Sequence, residues 1–219
     1  MTIGTIALLA AGLLLLFGAG QRVLDRLRLT DRQAILFIVL IIVGGFIPEI
    51  RVTPVFSFNI GGALIPLILC AYLWIRADTG VERARCLAAA LATGAAVFAL
   101  GRFLPAEPEE MPFDVNYLYG LAAGVIGYLF GRSRRGAFIA GVLGVMLSNV
   151  ASAAMVWSAG VNQPLVLGGA GGFDVIVISG LLAVLLSELI GELFERAKRG
   201  KQRPTRAFKG GDFVKEARR

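Results

Sequence analysis

The chain predicts an all-α, polytopic transmembrane helix bundle of about seven spans, and three observations carry that expectation. Apolar residues make up 57% of the 219 positions, and mean hydropathy is +0.75. They gather into uninterrupted runs that approach the roughly 20 residues a helix needs to cross hydrocarbon. The 22 basic and 15 acidic residues crowd into short connectors and the C-terminal tail, where a soluble domain would spread them over its surface.

In order, the runs are 2–20, 33–50, 59–75, 86–104, 113–130, 137–157 and 173–194. The first has no basic residue ahead of it and is followed by Arg22, Arg26 and Arg28, so it reads as a retained span and not as a cleaved signal. Pro48 and Pro66, with Asn59, Gly61 and Gly62 between them, predict kinks in the second and third spans around a cavity. In the fifth, Gly120, Gly124, Gly127 and Gly131 form a stripe that lets a neighbouring helix approach, either within the chain or from another membrane protein or a second copy. Ser148, Asn149 and Ser152 in the sixth are expected to bond across helices. The seventh leaves the membrane as the amphipathic stretch SELIGELFERAKRG. The transmembrane domain thus covers 1–197, and a basic, disordered tail covers 198–219.

Alternate connectors differ in charge. Arg22, Arg26, Arg28 and Arg32 occupy one, Arg76, Arg83 and Arg85 another, and Arg132, Arg134 and Arg135 a third, while PAEPEEMP is acidic and SAGVNQPLVLGGAGG is uncharged. Positive-inside alternation then predicts an inner-membrane protein with its N-terminus outside and its C-terminus in the cytoplasm. The net charge of +7 belongs to those loops, and no groove-reading module accompanies it, so nucleic acid is not an expected partner. The chain has no histidine, which removes imidazole bases and His-ligated metals from consideration. Cys70 and Cys86 show no CxxC spacing and read as free thiols on a reducing side. GGAGGFD lacks the strand and lysine of a phosphate loop, and neither cofactor nor metal is expected.

The most informative pattern is a repeat. FDVNYLYGLAA, from Phe113-Asp114-Val115, and FDVIVISGLLA, from Phe173-Asp174-Val175, share six residues in register where a polar loop becomes a span. Phe58-Asn59-Ile60 is a looser third copy, and together they suggest a repeated two-span unit. Asn and Asp at such places are favoured helix caps. A carboxylate beside hydrocarbon is also costly and is often kept for a partner or substrate. Asn59, Asp114 and Asp174, with Arg51 or Arg102 at about the same level, are therefore the candidate ligand-binding residues, and Glu49 lies nearby in sequence.

The paired aspartates resemble those of the intramembrane aspartyl proteases of the presenilin, signal-peptide-peptidase and prepilin-peptidase kind, which implies catalysis by Asp114 and Asp174. The chain departs from that pattern where Gly171-Gly172-Phe173-Asp174 puts Phe in place of the second Gly of Gly-x-Gly-Asp. SFNIGGALIPL, GVLGVMLSN and LGGAGGFDVIVISGLLAVLL look like the conserved blocks of a family of uncharacterised multi-pass prokaryotic membrane proteins with a domain of unknown function. That resemblance implies fold and location, and no activity.

Three readings follow. In the preferred one, which is not enzymatic, an outer cavity lined by Asn59, Asp114, Asp174 and Arg51 or Arg102 binds a small polar or cationic ligand. The second is an aspartyl hydrolase in which one carboxylate activates water and the other polarises a carbonyl. The third is a scaffold or assembly factor that packs through its glycine stripe.

Overall fold

The computed structural model describes residues 29, 31–103, 115–131, 133–201, 207–209 and 212–214. It is built from helices α1 (Asp31–Gly45), α2 (Ile65–Ile75), α3 (Gly80–Phe103), α4 (Val115–Gly131), α5 (Arg134–Ser158) and α6 (Val175–Lys201), in keeping with the all-α class. Segments of 24, 25 and 20 residues, Gly80–Phe103, Arg134–Ser158 and Val175–Phe194, are long and apolar enough to cross a membrane. Ile35–Gly45, Ile60–Ile75 and Leu118–Phe130 are apolar but shorter. The first predicted span and Arg22 to Arg28 lie outside the described residues.

Strands β1 (Ile50–Thr53), β2 (Phe56–Phe58) and β3 (Leu165–Leu167) form a small sheet that the helical reading did not anticipate. β1 runs antiparallel to β2, and β2 pairs in parallel with β3 across about half the chain. The local sequence favours this: β-branched and aromatic residues flank Thr53-Pro54-Val55, where proline presets a turn. In the tail, α6 continues to Lys201, beyond the expected boundary at 197. There β4 (Ala207–Lys209) pairs with β5 (Asp212–Val214), strands separated in sequence by Gly210-Gly211, a hairpin signal.

Contacts fix the directions of the helices. Ser133, which precedes α5, bonds Glu82 at the start of α3, and Arg102 near the end of α3 meets Met155 near the end of α5. α3 and α5 are therefore parallel. A Cβ added at Gly120 would meet Leu182, and one at Gly124 would meet Leu186, so α4 and α6 run parallel to each other. Gly127 packs on Ala137, which turns α4 antiparallel to α5 across a connector of a few residues. The stripe at Gly120, Gly124 and Gly127 is thus filled from within this chain.

Helix α5 touches α3, α4 and α6, and its Ile139, Val142 and Val145 are fully buried against residues such as Ile176 and Val184 of α6. Small residues set the spacing. A Cβ at Gly144 would lie 2.7 Å from Thr93 Cβ, and one at Gly141 would lie 2.9 Å from Gly180 Cα. This closeness strands two hydroxyls, because Thr93 Oγ1 and Ser179 Oγ are buried with no hydrogen-bond partner among the described residues. An orphaned buried hydroxyl costs about 1–3 kcal/mol, whereas a same-shaped apolar group costs nothing in desolvation. Thr93→Val is accordingly expected to hold or raise the thermal midpoint of the purified chain, and a drop of several degrees would reveal a partner for the hydroxyl.

Candidate functional site

Four backbone segments converge where α1 ends and α6 begins. Gly44 and Gly45 press against Gly61, Gly62 lies against the backbone of Gly168, and Gly45 packs on Gly171 and Gly172. Gly168 and Gly171 have φ of +72° and +61°, so they also need glycine for conformation. The stretch GGAGGFD, which as a sequence could form an anion nest, is here a packing surface for α1.

Asn59 governs one side of this knot. It is 3% exposed and caps a π-helical turn, Ile60–Leu64, that leads into α2 just before Pro66. Its Oδ1 accepts from the Gly62 N–H at 2.9 Å, and its amide donates to Ile47 O at 3.0 Å and Gly45 O at 3.5 Å. The side chain therefore both accepts and donates. That explains why the third copy of the motif carries Asn where the others carry Asp, since a carboxylate could not donate to two carbonyls.

Asp174 caps α6 by acceptance alone. Oδ1 takes the Ile176 N–H at 3.0 Å, and Oδ2 takes the Ala170 N–H at 3.3 Å. Ser179 and Gly180 lie against Gly141, and α5 runs on from Gly141 to Ser158, about 25 Å at 1.5 Å per residue. Asp174 therefore sits alongside the length of α5, short of its tip.

The other predicted residues are dispersed. Arg51 lies exposed on β1, opposite Ser57, whose hydroxyl donates to Glu49 Oε2 at 3.0 Å. Among the described residues, no ion pair joins Arg51 or Arg102 to Asp174. Asp114 lies outside the described residues. What is described is the register of its helix. Gly120 meets Leu182 and Gly124 meets Leu186, an offset close to that of the repeat, so the described starts of α4 and α6 stand at similar depth on adjacent parallel helices.

A cavity at this end lies between α3, α4 and α5 and has a volume of about 380 Å³. Arg102, Tyr119, Ser148, Asn149 and Ser152 bring polar groups to it, and Phe98 and Met155 bring apolar ones. The Arg102 guanidinium stacks over Phe98 at 5.4 Å and reaches Met155 Sδ at 2.9 Å, partners that carry no counter-charge, and no ion pair joins it among the described residues. Arg102 belonged to the expected set, but Tyr119 and the serine–asparagine group did not. Their signal was present: Ser148, Ser152 and Met155 recur at i, i+4 and i+7, one face of α5. Among the described residues no cluster of three or more Cys, Asp or Glu could hold a metal ion.

A family profile described as "Protein of unknown function (DUF1614)" matches residues 23–186. No curated protein and no solved structure matches the chain.

Proposed function

The chain belongs to the DUF1614 family, and from that premise we propose a multi-pass inner-membrane protein that binds a small polar ligand in the cavity between α3, α4 and α5. The observation that carries this reading is the set of polar side chains, Arg102, Tyr119, Ser148, Asn149 and Ser152, gathered around one cavity on apolar helices. Polar groups within such helices are expensive and mark binding sites by default. A volume of about 380 Å³ suits a small solute. Arg102, whose partners among the described residues are a thioether and a ring, favours a ligand with a carboxylate or phosphate over the cationic one the acidic repeat suggested. A binding role is also preferred to hydrolysis, because both Asp174 oxygens are engaged by backbone N–H groups.

Thermal melts of the purified chain against small carboxylates, phosphomonoesters and alkylamines test the reading. Acid-bearing solutes should raise the midpoint, by an amount equivalent to about 2.7 kcal/mol at 100 times Kd. The rise should vanish in Arg102→Gln/Asn149→Leu. A response to amines alone would contradict it.

A further inference from the structure

At the opposite, arginine-rich end of the bundle, a half-enclosed groove of about 200 Å³ runs between α3, α4 and the start of α5. Its rim is polar, with Thr79, Glu82, Arg85 and Ser133, and its floor is apolar, with Ala89 and Phe130. We propose that this groove seats a phospholipid whose headgroup carries a primary amine, an inference that rests on the membrane reading above.

The rim is preorganised. Glu82 N–H donates to Thr79 Oγ1 at 3.1 Å, and Glu82 Oε2 accepts from the Asp78 N–H at 3.0 Å, so two bonds hold the start of α3. Glu82 Oε1 also accepts from Ser133 Oγ at 3.0 Å, and Ser133 in turn caps α5. Arg135 braces the adjoining turn by donating to Arg76 O at 2.6 Å and pairing with Asp78 at 3.5 Å. Each Glu82 oxygen keeps a second lone pair, so the held carboxylate still accepts N–H bonds from an ammonium group. A quaternary amine has none to give.

Arg85 stands three residues further along the same helix, a spacing of about 5–6 Å between Cβ atoms. It makes no ion pair among the described residues, which leaves its guanidinium for a phosphate. Phosphate and amine two carbons apart match that separation, and the apolar floor receives the glycerol and upper acyl chain. Arg76 and Arg83 at the same end add the positive field that draws a phosphate surface.

The test is native mass spectrometry of the purified full chain in detergent with equal amounts of phosphatidylethanolamine, phosphatidylcholine and phosphatidylglycerol of one acyl composition. Phosphatidylethanolamine should be retained preferentially. Arg85→Gln should weaken that retention about tenfold, as expected for one charge-assisted contact, while Arg134→Gln, the same charge change outside the groove, should not. Equal retention of the three lipids, preference for phosphatidylglycerol, or an Arg85→Gln variant with unchanged selectivity would overturn the assignment. A chain that stays monodisperse without detergent would overturn the membrane reading itself, so the two failures are distinguishable.

Discussion

Asn59→Asp is expected to lose most folded protein, although it only makes the third copy of the motif match the other two. The new carboxylate would keep the acceptor for the Gly62 N–H but would face the Ile47 and Gly45 carbonyls with no proton to give. The site is 3% exposed, so a charge there is neither solvated nor paired. An uncompensated buried charge costs about 3–5 kcal/mol, and protonation of the Asp would recover part of that at acid pH. Detergent-extracted yield and thermal midpoint measure the effect. Asp174→Asn is the comparison, because Asn retains an acceptor for one of the two N–H groups that Asp174 serves. A small effect at Asn59 together with a large one at Asp174 would reverse the assignment of roles.

Gly62→Ala should be comparably damaging. Its Cβ would overlap Gly168, whose carbonyl and Cα occupy that space and whose φ of +72° leaves little room for adjustment. Overpacking usually costs about 1–3 kcal/mol, and the upper part of that range applies where backbone, not a flexible side chain, is the obstacle. For a chain of this size, 3 kcal/mol corresponds to a midpoint lower by about 6–12 °C. Gly191→Ala serves as the control, since a Cβ there meets nothing within 4 Å. Equal melting of the two variants would mean that the glycine knot is looser than described.

These positions show what sequence alone could convey. The apolar runs located every described helix, because burial and membrane contact both demand uninterrupted apolar surface. Cap chemistry at Asn59 and Asp174 was legible for a similar reason, since a loop entering a helix leaves unpaired N–H groups that these side chains satisfy. Which glycine meets which was not legible: Gly62 and Gly168 are joined by the fold across nearly half the chain. The sheet escaped because β1 to β3 have three or four residues each, too few for alternation to stand out beside apolar helices. Ser148, Asn149 and Ser152 were visible as polar residues in a span, but cross-helix bonding and cavity lining look alike until the partner helices are placed. Thr79-Gly80-Val81-Glu82 carries a readable capping signal, Thr followed three residues later by Glu, at the start of α3.

The cavity at Asn149 is most directly tested by chemistry at that position. Asn149→Cys, placed in a Cys70→Ala/Cys86→Ala background, should react with a membrane-impermeant, negatively charged thiol reagent about tenfold faster than with its trimethylammonium counterpart, since Arg102 concentrates anions there. Arg102→Gln should erase that preference. A cysteine at 149 that no aqueous reagent reaches, or one that reacts with both equally while Arg102 is present, would contradict a charged, ligand-accessible site between α3, α4 and α5.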